Sequence, residues 1–497
     1  MLFNSLEFFI FFVVTAVGFF SLGRFNMRAA LGWLVLCSLF FYGWWNPPYV
    51  LLIVGSILFN YVCGWSLYRR RSKVVLVFGV ALNLCAIGYF KYYDFFLSSM
   101  AWGMGTDYNF ANIILPLGIS FFTFQQVAYL VDAYVHEAGE KNLIDYALFV
   151  SFFPQLIAGP IVHHQDLLPQ FKQDETFRPR AGAIYTGLTI FFIGLFKKVV
   201  VADGVAPYAN AVFNYADAGG GVTFFEAWGG ALAYTLQLYY DFSGYSEMAI
   251  GLACILNIRL PLNFNSPYRA RSIIDFWRCW HITLSRFLRD YLYIPLGGSR
   301  KGGKARRYGN LMVTMLIGGL WHGAAWNFVF WGGLHGAYLL INHAWRNNID
   351  PPDRKSHPAF HACKSYAYWG VTFLAVVVAW VFFRAVSFEG AFEIIKGMSG
   401  LNGFVLPDQI LKMLPSVLRL EFISGTGTMP LIGNGTVLGA VEQFCIMGLF
   451  LTVCLSFKNL YEMSGRRRLL MLALTFAFTI QRVFFSPAPS EFIYFQF

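Results

Sequence analysis

Apolar stretches close to the length of a membrane crossing recur along most of the 497-residue chain, and this pattern restricts the fold more than any other feature. Crossing about 30 Å of hydrocarbon takes roughly 20 residues of helix. Predicted spans lie near Phe8–Gly23, Leu31–Trp45, Tyr49–Leu67, Val74–Tyr89, Ile113–Tyr134, Tyr146–Ile157, Ile184–Phe196, Phe224–Tyr240, Leu311–Ala325, Phe328–His343, Tyr366–Phe383, Val437–Phe457 and Leu469–Phe485. Several are short, so we expect about eleven full crossings together with re-entrant and interfacial helices. The predicted fold class is all-α, a polytopic membrane protein.

The composition supports this class and excludes others. Only 13% of the residues are charged, against about 25% in soluble proteins. The eight cysteines are scattered without a Cys-x-x-Cys pair, which argues against a zinc site or a disulfide scaffold. We therefore expect one integral membrane domain over residues 1–497, with no metal, no resident cofactor and no nucleic-acid partner. Residues 384–436 are mixed in character and are predicted to form an extramembrane excursion with a short helix.

Basic residues in short loops predict the orientation of the chain. Arg24 and Arg28 follow the first predicted span, and a second basic cluster at 69–73 follows the third. The turn between the second and third predicted spans, at 44–49, carries no charge. Because basic loops face the cytoplasm, the N-terminus is predicted to be periplasmic.

Positive charge is concentrated in one segment. Eleven of the 37 Lys and Arg residues lie between Ile258 and Arg307, and only Asp275 and Asp290 oppose them. Such an excess suits an anionic partner, either lipid headgroups or a phosphorylated substrate.

Within this segment, Phe276–Tyr291 reads as one amphipathic helix. Its aromatic and aliphatic residues form one stripe. The opposite face is predicted to carry Arg278, His281, Ser285 and Arg289. This helix could lie at the lipid interface with its arginines on anionic headgroups. Alternatively, the polar face could line a cytoplasmic mouth that receives a polyanionic small molecule.

A glycine- and lysine-rich loop at 297–304 follows the predicted helix. It contains Lys301 and Lys304, and its backbone N–H groups could approach phosphate oxygens. The loop lacks the spacing of a P-loop. It is a candidate phosphate-binding element only in combination with the neighbouring arginines.

His322 is the clearest ionisable residue inside an apolar stretch, and it is flanked by glycines. Apolar surroundings would keep its imidazole neutral, as a general base must be before it accepts a proton. A hydrogen bond between two helices is the structural alternative. On a continuous helix, His335 would lie about 220° around and roughly 20 Å along from His322, so we expect it to pack against a neighbouring helix instead.

Asp241 lies in the polar stretch Tyr239–Glu247. It could orient a catalytic group or cap a helix, and we favour the cap.

Proline and glycine interrupt predicted spans at 116–118 and 154–160. Backbone broken at membrane depth must line a cavity or be buried, so these breaks suggest an internal chamber.

The chain contains no Gly-x-Ser-x-Gly or His-Glu-x-x-His motif, so a hydrolase is disfavoured. A transporter of polysaccharide or lipid-linked sugar, without acyltransfer activity, remains an alternative.

Long motifs resemble a known family. They are Trp321–Ala324, Tyr239–Gly251, Asp275–Ser285, Leu288–Gly298, Phe152–Pro160 and Phe492–Phe497. Together they are similar to the membrane-bound O-acyltransferase (MBOAT) family and, within it, to the bacterial group that O-acetylates alginate. The matches are densest between residues 115 and 336.

The resemblance implies a ring of tilted helices around a tunnel in the bacterial inner membrane. It implies that acetyl-CoA enters from the cytoplasm as a substrate, that His322 is the catalytic base and that His281 is a second important histidine. The expected binding residues are Arg278, Ser285, Arg289, Asp241, Lys301 and Lys304. The acetyl group would pass to a periplasmic acetyltransferase partner and on to an exported polysaccharide, beside its synthesis or export machinery. Alginate, cellulose, another exopolysaccharide and peptidoglycan all remain possible acceptors.

Overall fold

The apolar stretches fold as helices in the computed structural model of the chain. The structure describes residues 1–108, 110–111, 113–136, 139–299, 303–349, 358–407, 423–426, 437–456, 472, 475–482 and 491–493. Its internal contacts divide the chain into two units. The first unit comprises Met1–Phe196, Gly244–Asn263 and Ser464–Phe497, and the second comprises Lys197–Ser243 and Phe264–Met463.

In the described part of the first unit, a series of helices follows along the chain up to Phe196. These are α1 (Leu6–Gly23), α2 (Met27–Gly43), α3 (Tyr49–Arg69), α4 (Lys73–Ile87), α5 (Tyr93–Met104), α6 (Ile119–Val135), α7 (Leu143–Ser151), α8 (Phe153–Leu156), α9 (His164–Leu167) and α10 (Ala181–Phe196). A π-helical turn lies at Gly88–Tyr92, and 3₁₀ turns lie at Leu168–Lys172 and Asp174–Phe177. Polar side chains cap the start of α1, α2, α4 and α7. The Asn26 side chain, for example, accepts hydrogen bonds from the first-turn N–H groups of Arg28 and Ala29 at 2.8 and 3.2 Å.

The second unit carries most of the sequence motifs. Its elements are a π-helix at Lys197–Ala202, α11 (Asp203–Asp217), α12 (Phe224–Ile255), a 3₁₀ turn at Pro267–Arg269, α13 (Ile273–Cys279), α14 (Ile282–Leu288), a π-helix at Arg289–Tyr293, α15 (Gly303–His322), α16 (Trp326–Asn348), α17 (Pro358–Arg384), α18 (Phe388–Met398) and α19 (Val437–Ser456). The last residues of α12 belong to the first unit. Two short parallel strands, Phe404–Pro407 and Ile423–Thr426, pair with each other.

These elements confirm the all-α polytopic class. Among the described residues, six helices are long and apolar enough to cross a membrane: Leu6–Gly23, Tyr49–Arg69, Lys73–Met104, Ala181–Asp217, Cys363–Arg384 and Gly439–Ser456. The expected number was about eleven. The helix α2, with 17 residues, is shorter than these six, and part of the predicted span Leu469–Phe485 lies outside the described residues. The short helix predicted after residue 384 is α18, whereas the strand pair that follows it was not predicted.

The predicted single helix Phe276–Tyr291 is wrong. The structure divides it into α13, α14 and a π-helical turn, with a break at Trp280 and His281. His281 has left-handed backbone angles, φ 43° and ψ 55°, which a residue other than glycine adopts only where the surrounding packing enforces them. The break rotates α14 relative to α13, so side chains that share a face in the sequence pattern point in different directions.

Glycine allows α15 and α16 to pack closely as an antiparallel hairpin. A Cβ atom on Gly319 would collide with the carbonyl oxygen of Phe328 and lie 3.0 Å from the Cα of Gly332. Farther from the turn, Gly336 lies against Met312. The three residues between the helices, 323–325, reverse the chain immediately after His322.

Replacing Gly319 with valine should destabilise the protein by about 1–3 kcal/mol, because the added carbons force the two backbones apart. Gly309 is the matched control, since nothing lies within 4 Å of a Cβ at that position of α15. Gly309→Ala should leave stability unchanged or raise it slightly. Thermal unfolding in detergent, followed by tryptophan fluorescence, checks both variants. Equal midpoints for Gly319→Val and wild type would contradict the close packing.

Candidate active site

His322 is the last residue of α15 and lies inside an aromatic cluster of the second unit. Only 5% of the residue is exposed. Its ring lies 5.1 Å from the ring of Trp331 and 5.2 Å from that of Phe383, centroid to centroid, with both contacts edge-on. The hairpin turn creates this position, because α16 and α17 bring those rings back over the end of α15. The imidazole is thereby shielded from bulk water.

His281 joins the same cluster from the break between α13 and α14. It is fully buried, its ring meets Phe242 edge-on at 4.7 Å, and it lies 6.0 Å from Trp321. Burial lowers the pKa of His281 to about 3, so the imidazole is neutral at physiological pH. Trp321 also contacts His322, at 4.9 Å. The structure therefore brings the two predicted histidines to one indole ring.

His335 lies much closer to His322 than a continuous helix would allow. The sequence estimate of roughly 20 Å assumed such a helix. Because the chain reverses at 323–325, His335 returns to the same cluster and lies 4.8 Å from Trp331, the ring that also contacts His322. The expectation that His335 packs against a neighbouring helix is confirmed by its contacts with Phe276 and Trp277 of α13.

The predicted polar face of Arg278, His281, Ser285 and Arg289 does not exist as one surface. The side chains of Arg278 and Arg289 are 72% and 61% exposed, whereas His281 is fully buried. The break before α14 causes this difference. Arg278 pairs with Asp275 at 3.5 Å, and Arg289 makes two hydrogen bonds to Asp290, at 2.7 and 3.1 Å.

The remaining predicted polar residues lie in different settings. The Ser285 hydroxyl donates to the carbonyl oxygen of Trp280 at 3.5 Å. Lys304 is exposed in the first turn of α15, and Lys301 lies outside the described residues. The loop before α15 is tied to that helix, since the Asn310 side chain donates to the carbonyl oxygen of Gly298 at 3.2 Å.

Asp241 lies in the middle of α12, so its predicted role as a helix cap is wrong. Its carboxylate lies 2.8 Å from the ammonium group of Lys198, and both side chains are 2% exposed. Lys198 also pairs with Asp203, at 2.9 Å. The neighbouring residue Phe242 contacts His281, so this buried ion pair holds the helix segment that supports the histidine.

Sequence reasoning missed Lys198. The residue follows Lys197 at the end of an apolar stretch, where basic residues usually mark a membrane boundary. Only the π-helical turn at Lys197–Ala202, which the apolar pattern does not show, directs its side chain inward.

The cluster suits proton transfer in a site that excludes water. A neutral imidazole within hydrogen-bond reach of a hydroxyl can accept its proton, and low polarity strengthens nearby electrostatic interactions. Within the described ranges, no group of three or more His, Cys, Asp or Glu side chains is placed to hold a metal ion. The imidazoles of the cluster can take part in acid–base chemistry.

Comparisons with known proteins give the chain a family. Residues 31–383 match the membrane-bound O-acyltransferase family, MBOAT. The chain is 40% identical to a peptidoglycan O-acetyltransferase of Helicobacter pylori, over 100% of this chain and 98% of that protein. It is 41% identical to a probable alginate O-acetylase, AlgI, of Pseudomonas aeruginosa, over 82% of this chain and 76% of that protein. A teichoic acid D-alanyltransferase of Bacillus subtilis is 30% identical over 46% of this chain and 59% of its own length.

The chain belongs to the membrane-bound O-acyltransferase family, which confirms the resemblance of its motifs. It is an O-acyltransferase and a multi-pass membrane protein.

Lys198→Met should destabilise the protein by about 3–5 kcal/mol, because it leaves the Asp241 carboxylate buried without its ammonium partner. The double variant Lys198→Met with Asp241→Leu should recover much of that loss, since neither buried charge remains. Lys396 is the matched control: it pairs with Glu393 at 2.8 Å but is 55% exposed, so Lys396→Met should cost less than about 1 kcal/mol. Thermal unfolding measures all three. A double variant less stable than the single one would contradict this account of the pair.

Proposed function

We propose that the protein transfers acetyl groups from cytoplasmic acetyl-CoA, across or at the bacterial inner membrane, for the O-acetylation of a cell-surface polysaccharide. The observation that carries the proposal is the burial of His322 beside His281 in one aromatic cluster of an O-acyltransferase. Similarity to two kinds of O-acetyltransferase supports an acetyl group as cargo.

His322 acts as the general base in this proposal. Its imidazole accepts the proton of the acceptor hydroxyl while that oxygen attacks the thioester carbonyl. The tetrahedral intermediate then collapses, the C–S bond breaks, and the leaving thiolate takes the proton from the imidazolium. The products are an acetyl ester and free CoA. His281 is the second histidine of the site and supports the cluster through Trp321.

Cationic side chains would hold the nucleotide end of the donor. CoA carries a pyrophosphate and a 3′-phosphate, and arginine suits phosphate oxygens because it offers paired N–H groups. Arg278, Arg289 and Lys304 are exposed, and the carboxylate partners of the two arginines also lie at the surface, where a phosphate can compete for them. Lys301 precedes Lys304 by three residues in the sequence. Ser285 and Asp241 are already engaged with Trp280 and Lys198, so we assign them to support of the site rather than to donor contact.

The final acceptor of the acetyl group is a polysaccharide hydroxyl, whereas the hydroxyl that meets His322 belongs either to the glycan or to a partner protein. Similarity over the whole chain to a peptidoglycan O-acetyltransferase favours peptidoglycan, while the alginate relatives, which match 82% of the chain, favour an exported polysaccharide. In either case the acetyl group must reach the outer side of the membrane. We therefore propose a periplasmic acetyltransferase partner and contact with the machinery that synthesises or exports the polysaccharide. The basic loops at 24–28 and 69–73 support a periplasmic N-terminus.

His322→Ala should abolish acetylation of the polysaccharide while the protein stays in the membrane at its normal level, because only the proton acceptor is lost. Acetyl ester content of the isolated polysaccharide and immunoblots of membrane fractions measure the two effects. His136→Ala is the control, since His136 is an exposed histidine at the end of α6. Normal acetylation in the His322 variant would refute the catalytic role.

Replacing Arg278, Arg289 and Lys304 together by glutamine should raise KM for acetyl-CoA about tenfold with little change in kcat, because phosphate contacts add binding energy away from the reacting carbonyl. With acetyl-pantetheine, which lacks the nucleotide phosphates, the variant and wild type should perform alike. Glutamine at Arg69, Arg70 and Lys73, another basic cluster, is the charge-matched control. An unchanged KM for acetyl-CoA would rule out donor binding by these residues.

A further inference from the structure

His335 is a buried polar residue that the proposed mechanism does not use. It is fully buried within α16, and neither of its ring nitrogens has a hydrogen-bond partner among the described residues. Its ring contacts five aromatic side chains, none of them charged: Phe276, Trp277, Trp331, Tyr338 and Trp380.

The two nearest of these neighbours share the same property. The indole nitrogens of Trp277 and Trp331 are buried and lack a hydrogen-bond partner within the described part of the chain. Their rings lie 5.2 and 4.8 Å from the ring of His335, centroid to centroid. Four polar atoms without partners, two on the imidazole and one on each indole, therefore lie in one cluster.

Such a cluster is unusual because buried polar groups in native proteins almost always form hydrogen bonds. Contacts between N–H groups and aromatic faces compensate only weakly for a missing partner. Phenylalanine at these positions would fill similar space without that cost. The arrangement is therefore suited to a polar guest that completes its hydrogen bonds.

The chemistry of the cluster indicates an uncharged guest. Each indole offers one N–H donor, and a neutral imidazole offers one donor and one acceptor. A secondary amide can donate its N–H to the imidazole acceptor and accept from the donors through its carbonyl oxygen, and a thioester carbonyl can accept from two of the donors. The aromatic neighbours of His335 offer no charge to balance an ion.

The cluster lies one ring away from the general base. Trp331 contacts His322 at 5.1 Å and His335 at 4.8 Å. The pantetheine arm of an acyl-CoA carries amide groups close to its thioester. We propose that His335, Trp277 and Trp331 form a subsite that binds an amide or the thioester carbonyl of this arm and places the thioester beside His322. This inference rests on the proposed function.

His335→Phe tests the subsite through two effects of opposite sign. The variant removes both buried nitrogens and keeps an aromatic ring, so its unfolding midpoint should equal or exceed that of wild type. Its affinity for acetyl-pantetheine, and its kcat/KM for acetyl-CoA, should fall about tenfold because the guest loses a hydrogen bond. His335→Gln, which keeps a donor and an acceptor, should restore much of the affinity.

Trp277→Phe is an independent test, since it removes one N–H donor and leaves His335 unchanged. It should also weaken acetyl-pantetheine binding. Trp345→Phe is the matched control: its indole donates to the Tyr368 hydroxyl at 2.9 Å at the far end of α16. That variant should bind acetyl-pantetheine as wild type does.

Affinity is measured by calorimetry in the His322→Ala background, so that turnover does not interfere. Wild-type affinity in both His335→Phe and Trp277→Phe would overturn the subsite. This is also the result expected if ordered water, and not the donor, fills the cluster. If His335→Phe fails to fold, wild-type affinity in Trp277→Phe is sufficient to overturn it. If His322 proves essential while both variants bind and turn over normally, the proposed function stands and the subsite fails. If no form of the protein binds a thioester, both fail.

Discussion

The close backbone contact between α15 and α16 fixes the positions of the rings around the candidate active site. Gly319 and Gly332 allow the two helices to approach to a distance that no larger residue permits. The chain can then reverse directly after His322, so that Trp331 and His335 return beside it. In a membrane protein, where lipid tails are as apolar as leucine, such close contacts between small residues are a main source of helix association. The packing of this hairpin therefore helps to set the position of His322.

Electrostatics support this arrangement from a second direction. Lys198 and Asp241 form an ion pair that is almost completely buried, and Phe242, next to Asp241, packs edge-on against His281. Removing one partner of such a pair is far more costly than removing both, so a buried pair is weak evidence of net stabilisation. The two histidines are held by aromatic contacts, and the helices that carry those rings are supported by glycine packing and by this buried charge pair.

The sequence predicted the class of the protein, because membrane crossings and long motifs are local features. It also singled out His281 and His322, which the structure brings to one indole ring. It did not predict the break at Trp280 and His281. The break depends on the left-handed backbone angles of His281, which the surrounding rings stabilise. The 3.6-residue spacing of apolar residues does not indicate such a break. Lys198 was missed for a similar reason, since a π-helical turn changes the direction of a side chain that otherwise resembles a boundary residue. His335 was placed too far from His322 because the distance assumed a continuous helix through 323–325. In each case tertiary packing determined the result.

The central claim is that His322 meets the acyl donor inside the protein. Its most direct test is a cryo-EM structure of the protein with a non-hydrolysable thioether analogue of acetyl-CoA. A hydroxyl bridging base and carbonyl would separate the two by about two hydrogen-bond lengths, roughly 6 Å. The account predicts the acetyl carbonyl at about this distance from the imidazole of His322, with the CoA phosphates against Arg278 or Arg289. An analogue bound elsewhere, with His322 sealed from it by unbroken aromatic packing, would contradict the account.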